Sequence, residues 1–405
     1  MMTATDIQRA DPPRRAPARP HLYQVDLFRV LTFACVIAVH VIDQANDSGN
    51  DTSHGILTLL HFTRFAFFAL TGFVLVYQFA GKSFRATTFW RRRFALVGIP
   101  YVAWSVVYWA YSIHLGQNHG SVPWLLSRLG LDLVWGTAYY HLYFLLVTMQ
   151  AYLLFPLLRK LLQVTAGHHG WLLTGSAALH LVVLYYLHYP PFTTGLSGEL
   201  WTHVPASVLP YQFFTILGAV TAWHIDAVHA FLRAHGRVIV AVLLLTGVAA
   251  EANYVFLVHH GLPPWGASDV FVPQMTLWFV AVSAGLYLLG TRWAARRDDS
   301  DVLARVIRYG SDRSFGIFLV HPLFIEMLIP KFPHLPQPWK TVLLYLAVVG
   351  LALATTEVLR RIPGSLWLTG RPMLRTDVSV LIPRRFRNPT PSDGASKEVV
   401  CSPTP

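Results

Sequence analysis

The stretch DLFRVLTFACVIAVHV (residues 26–41) decides how the rest of the chain is interpreted. It is an apolar run that holds two basic residues, Arg29 and His40, eleven positions apart. Eleven residues make about three turns of an α-helix, so both side chains leave the same face, about 16 Å apart along the axis. If the helix spans a bilayer, Arg29 lies near one surface and His40 near the midplane. Ionisable side chains at such depth are costly and mark candidate functional sites. The structural alternative is an interfacial Arg and a neutral His bonded to a neighbouring helix.

The composition is that of a membrane protein. Of the 405 residues, 54% are hydrophobic and only 13% are charged, and the mean hydropathy is +0.44. A soluble domain has about twice that charged fraction. Thirteen Trp, 17 Tyr and 25 Phe suit the two membrane–water interfaces. The chain contains two cysteines, Cys35 and Cys401, which excludes a disulfide framework. We therefore predict an all-α polytopic membrane protein.

Apolar segments long enough to span a bilayer predict about ten transmembrane helices. They lie at 25–45, 56–79, 94–114, 139–158, 170–188, 206–223, 237–257, 271–290, 314–330 and 340–359. Residues 1–21, which are rich in Arg and Pro, are predicted to be a disordered cytoplasmic segment. The membrane domain is predicted over 22–372, and a basic, partly disordered cytoplasmic tail over 373–405.

The distribution of positive charge predicts the orientation. If the N-terminus is cytoplasmic, 27 of the 32 Lys and Arg residues fall on the cytoplasmic side and three in outer loops. The other two, Arg29 and Arg64, lie within spans. This alternation predicts that both termini are cytoplasmic and that the protein resides in the cell (plasma or inner) membrane. It also explains the net charge of +12 by topology and attraction to anionic membrane lipid, so no nucleic-acid partner is expected.

Six segments, in order, resemble the acyltransferase type 3 family of integral-membrane acyltransferases. Arg29 and His40 match the family's R-x10-H signature on its first helix. The other five are RFAFFALTGFVLVY (64–77), FWRRRFALVGIPYVAWS (89–105), YHLYFLLVTMQAYLLFPLL (140–158), YQFFTILGAV (211–220) and SFGIFLVHPLF (314–324). The second and third helices look most like the branch that acylates surface polysaccharides.

The resemblance implies that acyl-CoA, with acetyl-CoA as the expected donor, supplies an acyl group from the cytoplasm. Because CoA is polyanionic, the basic segment before the third helix is expected to bind it, through Arg91, Arg92, Arg93 and Lys82. A purely topogenic charge cluster is the alternative. Many family members carry R-x-x-R before the Pro-Tyr, whereas Leu96 follows Arg93 here, with Arg92 as the expected substitute.

His40 is the predicted catalytic residue. A neutral imidazole can remove the proton of an acceptor hydroxyl as that hydroxyl attacks a thioester, or it can carry the acyl group itself. The sequence leaves both routes open. Arg29, the second predicted catalytic residue, is expected to bind the CoA phosphates, orient the thioester or stabilise a developing oxyanion.

Four further residues are predicted to bind the acceptor: Arg64, His141, Tyr143 and His321. For Arg64 the alternative is a structural ion pair with Glu251 or Glu326. Tyr143 also suits an aromatic belt, and a lone membrane His such as His321 also suits a helix–helix hydrogen bond.

Two weaker signals lead to negative predictions. His21 and Asp26 have an H-x4-D spacing found in glycerolipid acyltransferases, but the partner motifs are missing, which indicates chance. Histidines are frequent in the outer loops without ligand spacing, so no metal site is expected.

The sequence predicts O-acyl transfer from acyl-CoA to a hydroxyl of an envelope glycan, glycolipid or exported glycoside. The alternative is an exporter or flippase for a polysaccharide or lipid-linked sugar. An exporter would need a continuous polar route and often shows duplicated halves, and no internal repeat is visible here.

Overall fold

The computed structural model describes residues 20–79, 82 and 84–374. Within these ranges the chain forms α-helices and short turns, without a β-strand. The helices are α1 (Tyr23–Ala45), α2 (Asp51–Leu60), α3 (Phe62–Phe79), α4 (Ala86–His114), α5 (Val122–Trp135), α6 (Tyr143–Val164), α7 (His169–His188), α8 (Gly195–Thr202), α9 (Gln212–Trp223), α10 (Ile225–His259), α11 (Pro264–Ala267), α12 (Thr276–Arg296), α13 (Val302–Leu328), α14 (Trp339–Leu359) and α15 (Ser365–Thr369). The predicted tails, 1–21 and 373–405, fall almost wholly outside the described residues.

The prediction of an all-α polytopic membrane protein is confirmed. Nine helical segments in the described part of the chain are long and apolar enough to cross a membrane, and each overlaps a predicted span. One of them, Asp51–Phe79, consists of α2 and α3, which meet at His61. The cytoplasmic placement of the termini stays a prediction.

The sixth predicted span, 206–223, is the one that none of these nine segments matches, and it is built differently. Its helix α9 has only 12 residues, fewer than the ~20 that a straight transmembrane helix needs. Side-chain contacts nevertheless set α9 antiparallel to α7, through the pairs His169–His224 (2.8 Å), Ser176–Gln212 (2.7 Å) and His180–Pro210 (2.9 Å). The first residues of α7 and α10 therefore lie at the same side of the bundle. The segment of chain that connects the end of α7 to the start of α10 crosses the bundle back to that side.

This returning segment begins with irregular backbone whose polar groups are satisfied by side chains. Residues 204–211 contain two 3-10 turns. Gln150 of α6 donates to the Ala206 carbonyl and accepts from the Val208 N–H, both at 2.9 Å, while the fully buried His180 bonds the Pro210 carbonyl. Backbone groups shielded from water must be paired within the protein. Because these side chains pair the irregular backbone, the segment can cross the bundle with only a short helix.

Two glycines allow α3 and α9 to pack backbone against backbone. A Cβ on Gly218 would lie 1.8 Å from the Ala69 carbonyl oxygen, and one on Gly72 would lie 2.0 Å from the Thr215 carbonyl oxygen. Small residues at helix contacts of membrane proteins permit such close approach. The contact fixes α3 against the returning segment and thereby the position of Arg64.

α1 lies in the middle of the bundle. It packs against α2, α3, α12, α13 and α14, and its buried residues, among them Phe28, Phe33, Ile37 and Val41, point in several directions. A helix that is apolar on all sides belongs inside a larger assembly. This position turns both basic residues of α1 towards protein instead of lipid.

Candidate active site

A basic cavity opens at the near side of the bundle, which we define as the side where α1 begins. Its volume is about 730 Å³, within the range of about 300–1,000 Å³ typical of small-molecule sites. α1, α3, α4, α6 and α13 supply its walls, and residues after α15 complete the rim. Among the described residues, four Lys or Arg side chains line it: Arg29, Lys82, Arg93 and Arg371. Its size and charge suit an anionic ligand.

Arg29 is held in this cavity by α13. Its Nη1 donates to Ser311 Oγ (3.1 Å) and lies 4.0 Å from Asp26 Oδ1. Ser311 Oγ donates in turn to Asp26 (2.7 Å), whose other oxygen bonds His21. His21 and Asp26, whose spacing the sequence left to chance, thus belong to the same hydrogen-bond network as Arg29.

The four basic residues predicted to bind the CoA phosphates do not all face the same space in the structure. α4 begins at Ala86, so the three consecutive arginines lie on its second turn instead of in a loop. Successive residues of a helix point about 100° apart, and only Arg93 reaches the cavity, whereas Arg91 and Arg92 are exposed outside it. Lys82 also lines the cavity. Arg93 donates to Gln78 and lies over the rings of Phe79, Phe89 and Tyr152.

Arg371 lines the cavity, whereas Arg92, the residue expected to substitute for the family's second Arg, does not. Leu96, at the position of the family's second Arg, lines the cavity, and so does Arg371 from the segment after α15. Gly370 adopts a left-handed conformation with φ of +62°, and a Cβ there would lie 2.6 Å from the Leu96 carbonyl oxygen. This close approach brings Arg371 to the rim. Sequence reasoning missed Arg371 because only long-range packing, with no local pattern, places it there.

His40 lines a second, much smaller cavity deeper in the bundle. Its volume is about 30 Å³, space for about one water molecule. Arg64, His141 and Tyr143 line the same cavity. Three of the four predicted acceptor-binding residues are therefore gathered around the predicted catalytic histidine.

The fourth predicted acceptor-binding residue, His321 of α13, stacks on His40 with ring centroids 5.4 Å apart. His321 also lies 5.6 Å from the ring of His141, which stands in the turn before α6. The rings of His141 and His321 are buried. His141 contacts the backbone of Leu319, and Nε2 of His321 has no hydrogen-bond partner among the described residues. A buried polar atom without a partner in the protein is a candidate contact for a water molecule or a ligand.

Tyr140 belongs to the same group, and sequence reasoning missed it. Its ring lies 4.8 Å from that of His40, and its buried hydroxyl has no partner among the described residues. The preceding residue, Tyr139, donates to Glu326 (2.8 Å). The sequence signal that could have identified Tyr140 is its position directly before His141, in the segment that begins YHLYF.

Arg64 is half-buried and has no ion pair in the described ranges. It lies about 6 Å from the rings of Tyr143 and Phe271, and no carboxylate of the described residues lies within salt-bridge distance of it. The alternative of a structural pair with Glu251 or Glu326 is therefore wrong. Arg64 remains available to the small cavity that it shares with His40.

The geometry combines a basic cavity at one side with a buried histidine cluster further in. No curated protein and no solved structure matches the chain. A family model described as "Acyltransferase domain" matches residues 22–360, most of the chain. This protein belongs to that family, acyltransferase type 3, and is a membrane acyltransferase.

Proposed function

We propose that this enzyme moves an acyl group, acetyl in the first instance, from acyl-CoA at the near side to a hydroxyl at the far side. The acceptor is an envelope glycan, a glycolipid or an exported glycoside. The observation that carries the proposal is the order of sites along α1. Arg29 lines the basic cavity and His40 lines the histidine-rich one, three helical turns further on.

The basic cavity supplies what a CoA phosphate group requires. Arg29, Lys82, Arg93 and Arg371 present cationic donors to one space of suitable size. Guanidinium groups bind phosphate with paired, charge-assisted hydrogen bonds. In this proposal the near side is cytoplasmic, where acyl-CoA is available, and the enzyme lies in the cell membrane.

His40 acts as general base in the proposed reaction. The imidazole takes the proton from the acceptor hydroxyl while its oxygen bonds to the thioester carbonyl carbon. The carbon–sulfur bond then breaks, and the departing thiolate takes that proton from His40. Arg64 and the imidazoles of His141 and His321 orient the acceptor and stabilise the oxyanion.

The decisive variant is His40→Gln. It should lower acetyl transfer about 100- to 10,000-fold, the usual contribution of a general base, while acetyl-CoA binding to the purified protein is unchanged. The matched control is His229→Gln, because His229 bonds the Tyr287 hydroxyl (3.0 Å) and lines neither site cavity. Full transfer by the His40→Gln variant would contradict the mechanism.

The acceptor class and the rival exporter are tested in cells. Mass spectrometry of envelope glycans and exported glycosides should show an acyl mass that disappears when the gene is deleted and does not return with His40→Gln. An exporter without acyl chemistry predicts lost glycan export, unchanged acylation and no acyl-CoA binding.

A further inference from the structure

Four phenylalanines separate the two cavities. Phe33 of α1, Phe67 of α3, Phe144 of α6 and Phe318 of α13 line both the basic cavity and the small cavity of His40. We call these four residues the collar. On α1, Phe33 follows Arg29 by one turn, about 6 Å, and precedes His40 by about 10 Å.

The collar is closed. Its consecutive ring centroids are 5.5 Å (Phe33–Phe67), 4.3 Å (Phe67–Phe144), 5.5 Å (Phe144–Phe318) and 5.7 Å (Phe318–Phe33) apart. These are ordinary contact distances for aromatic pairs, most of them edge-to-face or tilted. The four rings therefore form a closed cycle of contacts between the two cavities.

A closed apolar ring between two polar spaces is a barrier to water. Narrow hydrophobic constrictions exclude water because none of their groups replaces its hydrogen bonds. The cavity beyond the collar holds about one water molecule. No continuous path of water through the collar therefore connects His40 with the polar and ionic groups of the basic cavity.

We propose that the collar, closed in this structure, opens only for the uncharged acyl-bearing arm of the donor and keeps bulk water and the donor's phosphates at the near side. The identity of the donor rests on the proposed function; the barrier itself does not. The collar suppresses hydrolysis, in which water forms the carbon–oxygen bond, the carbon–sulfur bond breaks, and a free acid and thiol result. Exclusion of water from an active site prevents this kind of side reaction.

The barrier is tested without any enzymatic activity. With Cys35 and Cys401 replaced by Ala, a His40→Cys variant is exposed in sealed vesicles to a membrane-impermeant thiol reagent added at the near side. A Lys82→Cys variant identifies that side. Labelling of the thiol introduced at position 40 should be slow, and it should rise at least about tenfold when Phe67→Ala opens the collar.

Phe279→Ala is the matched control, because Phe279 is a fully buried phenylalanine outside both cavities. Phe67→Leu is the milder second variant if Phe67→Ala does not accumulate. Fast labelling with the collar intact, or equal labelling in the Phe67 and Phe279 variants, would overturn the barrier.

The chemical consequence is measured as acetyl-CoA hydrolysis without an acceptor. Opening the collar with Phe67→Ala or Phe67→Leu should raise hydrolysis about tenfold, and His40→Gln should abolish the increase. Unchanged hydrolysis in a variant that still transfers acetyl refutes the exclusion of water. If the unmodified protein neither transfers acetyl groups nor binds acetyl-CoA, the proposed function is contradicted. The labelling experiment still shows whether the collar is a barrier to water.

Discussion

Ser311 Oγ lies 3.1 Å from Arg29 Nη1, although the two residues are 282 positions apart in the chain. The same hydroxyl donates to Asp26 at 2.7 Å. Ser311 therefore links the guanidinium to the carboxylate one turn earlier on α1. This bridge fixes the direction in which Arg29 faces the basic cavity.

Replacing Ser311 with Ala should weaken acetyl-CoA binding through loss of this orientation. The expected increase in Kd is about tenfold, which corresponds to one hydrogen bond to a charged group. As a positioning residue, Ser311 should affect KM for acetyl-CoA much more than kcat, and Ser311→Thr should restore binding. Ser283→Ala is the control, because that buried hydroxyl donates only to its own helix, at the Phe279 carbonyl. Equal effects of the two Ala variants would argue against the bridge.

The three consecutive arginines of α4 should differ in their effect on the donor. Arg93→Gln should raise the acetyl-CoA Kd about tenfold, because Arg93 lines the cavity. It should also reduce the dependence of binding on salt concentration. Arg91→Gln and Arg92→Gln, which change exposed residues outside the cavity, serve as matched controls with the same loss of charge. Titrations of the three variants with acetyl-CoA at two salt concentrations measure these effects. Equal increases in Kd for all three variants would favour a diffuse charge cluster.

Arg64→Met should abolish acetyl transfer without lowering the thermal stability of the protein. The reason is that the half-buried Arg64 guanidinium has no ion pair in the described part of the chain, so its removal leaves no carboxylate unpaired. Arg360→Met is the contrasting variant. Arg360 is 5% exposed and donates to Asp312 at 2.8 Å, and its loss should cost about 1–3 kcal/mol. Thermal melts in detergent compare them, and a marked loss of stability in Arg64→Met would reveal a structural role.

Gly218→Ala should destabilise the protein through the α3–α9 contact. The added Cβ would lie 1.8 Å from the Ala69 carbonyl oxygen, and overpacking of this kind costs about 1–3 kcal/mol or more. Gly175→Ala in α7 is the control, since nothing lies within 4 Å of its Cβ position and Ala favours helix by up to about 1 kcal/mol. Melting temperatures check the pair, and similar stability of both variants would contradict the close packing.

The sequence anticipated the transmembrane helices well, because span length and apolar content are set locally. It failed in detail where local rules do not apply. Residues 204–211 form 3-10 turns instead of an α-helix, which the bundle tolerates because Gln150 and His180 from other helices satisfy part of their backbone. α4 begins eight residues before the predicted span because polar and basic residues are compatible with a helix that extends beyond the apolar region.

By itself, the sequence determined the all-α membrane architecture, the family and the placement of Arg29 and His40 on one helical face, since hydropathy and a period of 3.6 residues follow from the chain alone. Only the tertiary structure decided which cations share a cavity. It selected Arg93 and Arg371 over Arg91 and Arg92, and it closed four phenylalanines from four helices into one ring. The physical reason is that these relations depend on packing between segments far apart in the chain, which no local pattern records.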